Sequence, residues 1–224
     1  MASSEYYRFI DKVRSRPRAE NPTIEETRAE LERIGARLTL PAGVTFEAVD
    51  AGGVPAEWAA PPGSKTGRVI LYMHGGGYGY GSVRTHRALV GRLALAADAR
   101  VLSIDYRLAP EHPFPAAVED GVAAYRWLIG RGVPTGRMVL VGDSAGGGLA
   151  LATLVALRDQ EESLPAAAAC MSPLTDLAKE GASMRTHAHL DPLVDPESSA
   201  VNARRYLGPE GDPKHPLASP LYAD

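Results

Sequence analysis

The sequence predicts an α/β fold built on a mostly parallel sheet, and two observations carry this prediction. From Arg68 onward, short and uninterrupted apolar runs recur between longer stretches of helical character. Such runs are typical of strands that crossover helices bury on both faces. Three strand-helix-strand units in succession form an open parallel sheet, in which ligands bind beyond the carboxyl ends of the strands.

The length fits one sizeable α/β domain or two small ones, and the composition argues against several kinds of partner. Of the 224 residues, 45% are hydrophobic and 23% are charged, and both values are ordinary for globular proteins. A net charge of −3, without a long Lys/Arg run, offers no electrostatic footprint for nucleic acid. Cys170 is the single cysteine, so we expect neither an internal disulfide nor a cysteine-based zinc cluster.

The N-terminus lacks the basic and apolar segments of a secretory leader, and no stretch reaches about eighteen consecutive apolar residues. We therefore expect no membrane span and a cytoplasmic location.

A short first segment, residues 5–14, precedes a stronger helix signal, in which Thr23 and Glu26 have the spacing of a capping box. An apolar stripe predicts a helix over residues 24–38, which must lie against the main body or cover a pocket.

The remaining elements follow in order. Residues 44–49 and 54–59 flank a glycine-rich turn and predict an antiparallel hairpin. The buried strands are predicted at residues 69–73, 101–104, 138–141 and 166–171. The helices between them are predicted at residues 83–97, 115–130 and 145–159. Residues 176–224 carry no strand signal, and one further helix is predicted at residues 196–206.

The strongest functional signal lies at residues 138–149, where an apolar run meets a helix through Gly-Asp-Ser-Ala-Gly. Between a strand and a helix, Gly-x-Ser-x-Gly is typical of a nucleophile elbow, so Ser144 is the candidate nucleophile. A serine also needs a base, a group that orients the base, and donors for the oxyanion. His74 and three following glycines match a loop that supplies such donors, and we expect an oxyanion hole from the N–H groups of Gly76, Gly77 and Ala145.

The glycine-rich loop has an alternative interpretation as a nucleotide cradle. Its spacing argues against this interpretation, because no Gly-x-Gly-x-x-Gly and no Gly-Lys-Ser/Thr pattern is present. We accordingly expect no cofactor. His74 could be taken for the base, but its place before the glycines favours a brace for the loop. Tyr78 is a candidate for the substrate pocket or for stacking at its cover, and Asp143 is a candidate for the pocket or for bracing the turn.

Five segments, at residues 73–82, 105–111, 114–120, 142–147 and 172–177, resemble in order and spacing the hormone-sensitive-lipase-like esterases, also called family IV bacterial esterases. The resemblance implies an α/β-hydrolase fold, a Ser-His-Asp triad, short-chain acyl ester substrates and no cofactor. It also implies a helical cap at residues 1–40 and 176–210, a core at 41–175, and a return to the core at 211–224. Residues 105–111 would be a structural loop that fixes the sheet edge through Arg and Glu pairing.

The base is not assigned by this resemblance. In that family the triad acid and histidine follow the segment that matches residues 217–224, so we expect the last two strands to be missing and the chain to show little or no turnover. His187, His189 and His215 follow Ser144 but lie on the wrong segments for a triad. His187 and His189 also form a poor zinc site without further ligands, so we expect no metal.

The function predicted from the sequence is hydrolysis of short-chain carboxylic esters through Ser144 and an acyl-enzyme. One alternative is a non-catalytic module that binds a small molecule on the same fold, and another is an amidase or a transacylase. The expected partner is a small-molecule ester. We also expect copies of the chain to dimerise or associate through the incomplete edge of the sheet.

Overall fold

A six-stranded sheet forms the centre of the protein in the computed structural model, which describes residues 3–15, 22–64, 67–194 and 196–224. The strand order is β1-β2-β4-β3-β5-β6. The strands are β1 Thr45–Asp50, β2 Pro55–Ala60, β3 Val69–Met73, β4 Arg100–Ile104, β5 Met138–Asp143 and β6 Ala167–Met171. β1 and β2 form the expected hairpin, β2 pairs antiparallel with β4, and β4, β3, β5 and β6 are parallel. The predicted mostly parallel sheet is confirmed.

Seven α-helices surround this sheet within the described ranges. They are α1 Ser4–Arg14, α2 Ile24–Gly35, α3 Val83–Ala97, α4 Ala116–Gly130, α5 Ala145–Asp159, α6 Ser183–Thr186 and α7 Pro196–Leu207. α3, α4 and α5 are the crossovers between parallel strands, and their bounds agree with the prediction to within one residue. Among the described helices, none combines the length and the apolar character that a membrane span requires.

α2 is shorter than predicted. It begins at the predicted capping box, since the Thr23 hydroxyl accepts from Glu26 N and the Glu26 carboxylate accepts from Thr23 N. It ends at Gly35, three residues before the predicted end. Beyond this point, Arg37 N and Leu38 N donate to the carbonyls of the residues three positions earlier, so the α-helical hydrogen-bond pattern does not continue. Gly35 packs so closely on α3 that a Cβ there would lie 2.7 Å from the Cα of Thr85. Leu38 is 49% exposed, so it does not extend the apolar stripe.

The core has two parts, one on each face of the sheet. α4 and α5 cover one face, where Leu71, Met73 and Leu140 are fully buried among their side chains. α3 covers the other face, where Tyr72 and Val101 are buried. β3 is buried along its whole length. The pattern explains why the central runs are uniformly apolar, because both faces of these strands pack against helices.

β6 is the outer strand of the described sheet, and most of its residues are exposed. The predicted association of copies through this edge stays a prediction. The division into cap and core segments also stays a prediction, and parts of it, at residues 1, 2, 16–21, 65, 66 and 195, lie outside the described residues.

One side chain joins α2 to the loops at the carboxyl end of the sheet. Arg28 Nη1 and Nη2 donate to the Glu111 carboxylate at 2.7 and 2.8 Å. The same guanidinium donates to the carbonyl oxygens of Gly79, at 2.8 Å, and Ala109, at 2.9 Å. The one arginine of the 105–111 loop, Arg107, pairs with Glu119 and Asp120 of α4. The Arg and Glu of this loop therefore pair with helices, and not along the sheet edge as the resemblance implied.

Replacing Arg28 with alanine should loosen α2, because it removes a bidentate carboxylate pair and leaves two carbonyls without their donor. We expect the free energy of opening of α2, measured by amide hydrogen exchange, to fall by about 1–3 kcal/mol. Arg33→Ala is the matched control, since Arg33 pairs with Glu30 on the exposed side of the same helix, and it should cost less than about 0.5 kcal/mol. Equal losses in the two variants would contradict the assigned role.

The same pair predicts a pH dependence. Hydrogen bonds from Arg28 lower the pKa of Glu111 to about 2 from its ordinary 4.5. The unfolded chain therefore takes up the proton first as pH falls, and the stabilisation is complete above about pH 4.5 and lost toward pH 2. The protection of α2 amides, followed from pH 6 to pH 2, should show this loss. Arg28→Ala should flatten it, and an unchanged profile in that variant would assign the loss to other carboxylates.

Candidate active site

Ser144 lies on a strained turn between β5 and α5. Its φ of 51° and ψ of −119° are rare for a residue with a side chain. Three backbone hydrogen bonds hold the turn. Ser144 N donates to the Met171 carbonyl at 2.9 Å, and the Ser144 carbonyl accepts from Gly148 at 3.1 Å and from Leu174 at 2.8 Å. The end of β6 and the segment after it thus clamp the turn in the geometry of a nucleophile elbow.

The two glycines that flank Ser144 are required by close packing. A Cβ on Gly146 would lie 2.0 Å from the carbonyl oxygen of Met73, and one on Gly142 would lie 2.2 Å from that of Gly146. These distances are far below van der Waals contact. α5 therefore begins directly against the end of β3. The Gly-x-Ser-x-Gly pattern reflects this contact, because a side chain at either glycine would clash with the backbone.

The glycine-rich loop that follows β3 turns sharply toward the same point. Gly76 has a φ of +128° and Gly77 a φ of +59°. The Gly76 carbonyl accepts from both Gly79 N, at 3.0 Å, and Tyr80 N, at 2.9 Å. The N–H groups of Gly76, Gly77 and Ala145 donate to no backbone carbonyl of the described chain. Ala145 is also the first residue of α5, where the helix dipole favours negative charge.

Asp143 ties the elbow to this loop. Its carboxylate accepts from Gly75 N at 2.9 Å and from the Tyr72 hydroxyl at 2.5 Å, and it lies 3.6 Å from His86 Nε2. Burial acts to raise the pKa of Asp143, but the hydrogen bonds from His86, Tyr72 and Gly75 outweigh it, so the pKa is lowered. The carboxylate is thus held ionised as a brace, and Asp143 is not among the described residues that line the cavity below.

His74 is completely buried next to this brace. Its ring stacks on Tyr106, with 4.3 Å between ring centroids, and Nδ1 donates to the Gly75 carbonyl at 2.8 Å. Burial lowers its pKa to about 4, so the ring is neutral near pH 7. These contacts fit a bracing role for His74, which is not among the described residues that line the cavity at Ser144.

A cavity of about 270 Å³ opens at Ser144. Its described lining is Gly77, Tyr78, Ser144, Ser172, Pro173, Leu174, Leu177, Leu193, Val194, Ser198, Ser199, Asn202 and Ala203. Tyr78 also stacks on Tyr206 of α7, with ring centroids 3.7 Å apart and planes at 8°. Both interpretations of Tyr78, as a pocket wall and as a stacking partner, describe its position.

The described lining of this cavity contains neither a histidine nor a carboxylate. His187 and His189 are exposed, and His215 packs against Phe114 with 4.9 Å between ring centroids. His215 Nδ1 accepts from Leu217 N at 3.1 Å. The structure therefore brings the candidate nucleophile and the glycine-rich loop after β3 together, and it brings none of these three histidines to them.

A larger cavity, of about 750 Å³, lies against the sheet between α3 and β6. Its described lining is apolar apart from Arg68 and Arg137, and it includes no serine, histidine or carboxylate. The smaller cavity is the candidate active site because it holds Ser144. Sequence reasoning missed Ser198, Ser199 and Asn202, which α7 places in that cavity, since nothing local marks a polar helical residue as a pocket residue.

Known proteins similar to this chain agree with the geometry. A family model described as alpha/beta hydrolase fold matches residues 70–224. An acetyl-hydrolase of Streptomyces hygroscopicus is 46% identical, over 100% of this chain and 74% of its own length. An esterase of Acinetobacter venetianus is 36% identical, over 70% of this chain and 52% of its own. The crystal structure of an esterase from the bacterial hormone-sensitive lipase family superposes with a TM-score of 0.93 at 49% identity, covering 100% of this chain and 75% of that one.

Replacing Asp143 with asparagine should destabilise the protein, because an uncharged amide holds Gly75 N and the Tyr72 hydroxyl less strongly and loses the attraction to His86. We expect a fall of about 1–3 kcal/mol in the free energy of unfolding, measured by chemical denaturation. Asp159→Asn is the control, because Asp159 pairs on the surface with neighbouring Arg158, and it should cost under about 0.5 kcal/mol. If Asp143→Asn proves as stable as the control, the carboxylate is not a brace.

Proposed function

Because this chain belongs to the α/β-hydrolase family of hormone-sensitive-lipase-like carboxylesterases, we propose that Ser144 is the nucleophile with which it attacks short-chain acyl esters. The observation that carries the proposal is the strained turn that presents Ser144 to a cavity shared with Gly77 of the oxyanion loop. Esters of small acids such as acetate or butyrate are the substrates we expect, since about 270 Å³ accommodates a short chain.

The proposed reaction has two stages. Ser144 Oγ attacks the ester carbonyl carbon, and the N–H groups of Gly76, Gly77 and Ala145 donate to the oxygen that becomes negative. The C–O bond to the alcohol then breaks, the alcohol leaves with the serine proton, and the acyl group stays on Oγ. Water attacks this acyl-enzyme and releases the acid. In other serine hydrolases, one oxyanion donor is worth about 2.7–4 kcal/mol of transition-state stabilisation.

The described lining of the cavity contains neither a histidine nor a carboxylate, and this lowers the rate of ester hydrolysis that we expect. We propose that this chain by itself turns esters over slowly, because nothing described there removes the proton of Ser144. Binding and an oxyanion hole without the triad still accelerate serine-protease chemistry about 10³–10⁴-fold over water. Slow deacylation should then make the acyl-enzyme accumulate.

We further propose that α2 and α7 act as a cover for this site. Arg28 of α2 holds the Gly79 carbonyl, and Tyr206 of α7 stacks on Tyr78, so both helices contact the loop that carries the oxyanion donors. Such a cover excludes water and strengthens each hydrogen bond to the oxyanion.

The experiment is to incubate the chain with p-nitrophenyl butyrate and to measure the mass of the intact protein by mass spectrometry. We expect the added mass of one butyryl group, mapped by peptide digestion to the peptide that contains Ser144, because water attacks the acyl-enzyme slowly. Ser144→Ala should gain no butyryl group, and Ser183→Ala, which changes a serine outside the cavity, should be acylated like the unmodified chain.

Butyrylation of Ser144→Ala at the same rate, on another residue, would contradict the assignment of the nucleophile. A different contrary outcome is steady turnover at about 1–10³ s⁻¹, the usual range for enzymes, without an accumulated acyl-enzyme. That result would contradict the proposal of slow turnover and would leave the assignment of Ser144 as nucleophile intact.

A further inference from the structure

A short chain of hydrogen bonds connects α7 with the oxyanion loop. Arg205 Nη1 lies 2.9 Å from the Tyr80 hydroxyl, and that hydroxyl lies 3.1 Å from Asn202 Oδ1. A guanidinium has only hydrogen-bond donors, so the Tyr80 hydroxyl accepts a hydrogen bond from Arg205 and donates one to Asn202 Oδ1. The Asn202 carbonyl therefore faces Tyr80, and its amide Nδ2 must point the other way.

The Nδ2 group of Asn202 is in the candidate active site. It lies 2.9 Å from the position that a Cβ on Gly77 would take, so only the missing side chain at residue 77 leaves room for it. Asn202 lines the same cavity as Ser144. Within the ranges that the structure describes, Nδ2 donates no hydrogen bond to the protein. A donor with a fixed direction is thus left open to a bound molecule.

We propose that Asn202 is a specificity-determining residue whose Nδ2 donates a hydrogen bond to an acceptor oxygen of the bound ester, beside the oxyanion loop. The inference rests on the proposed function, since it takes the Ser144 cavity as the ester site. The positive charge of Arg205, relayed through Tyr80, polarises the amide and strengthens its N–H donors. The site should favour esters with an ether, hydroxyl or carbonyl oxygen close to the ester group, on either the acyl or the alcohol side.

Two matched pairs of ligands isolate this acceptor. N-propylbutanamide and N-propyl-2-methoxyacetamide differ by one CH₂ replaced with oxygen on the acyl side. N-butylbutanamide and N-(2-methoxyethyl)butanamide differ in the same way on the amine side, which stands in for the alcohol. These amides lack the activated leaving group of a p-nitrophenyl ester, so ligand-observed NMR titration with the full chain measures their dissociation constants without turnover.

In one of the two pairs, Asn202→Leu should weaken binding of the ether ligand about three- to tenfold and change its hydrocarbon twin by less than about twofold. The pair that responds identifies the side of the ester that carries the acceptor. Asn202→Asp should weaken the ether ligand further, because a negative oxygen replaces the donor. Tyr80→Phe should give an intermediate loss, since the amide is then free to turn. Arg204→Ala, on the exposed side of α7, is the matched control and should change nothing.

Equal weakening of both twins in Asn202→Leu would overturn the inference and leave Asn202 a structural residue of α7. A preference for ether ligands that no variant changes would overturn it too, as would the failure of all four amides to bind the unmodified chain. The outcome is separable from the acylation experiment. Butyrylation of Ser144 without an Asn202-dependent preference removes this inference alone, whereas an Asn202-dependent preference with neither butyrylation nor ester turnover removes the nucleophile assignment alone.

Discussion

The pairing of β3 with β5 is the constraint on which the rest of the site depends. In this parallel pair Met73 lies opposite Gly142, so the loops that follow the two strands leave the sheet at the same edge. One loop holds the glycines proposed as oxyanion donors and the other holds Ser144. The approach is so close that residue 146 has no room for a Cβ. Without this register, the proposed nucleophile and the proposed oxyanion donors would lie on two unrelated turns.

Charge and shape then hold the two turns together. The buried, ionised carboxylate of Asp143 receives an N–H from one loop while it belongs to the other, and this bond spans 68 residues of sequence. A buried carboxylate persists only where several donors compensate for its lost hydration, and Tyr72, Gly75 and His86 surround this one. The neutral ring of His74 fills the space beside it. On the side of the sheet, the site is therefore held by buried charged and aromatic contacts.

On the other side, the loop is held by helices that come from distant parts of the chain. Arg28 reaches it from the N-terminal part, and Asn202 and Tyr206 reach it from α7. These contacts are polar and aromatic, and the described lining of the cavity beside α7 combines apolar side chains with four serines and Asn202. Hydrogen-bonding groups set among apolar side chains are typical of sites that orient a small ligand. Selectivity among substrates would then depend on α7, and the chemical step would depend on the loops that follow β3 and β5.

What the sequence determined by itself is what neighbouring residues encode. Uniform apolar runs predicted β3 and β5 because strands buried on both faces exclude polar side chains, and the flanking glycines indicated Ser144 because only a turn without Cβ atoms fits there. Where packing decides, local pattern failed or was silent. α2 ends at Gly35, where it packs closely against Thr85, and the role proposed for Asn202 depends on its contact with Tyr80, 122 residues away. The direction of an amide or the partner of a carboxylate depends on atoms brought together by the fold, and no local spacing records them.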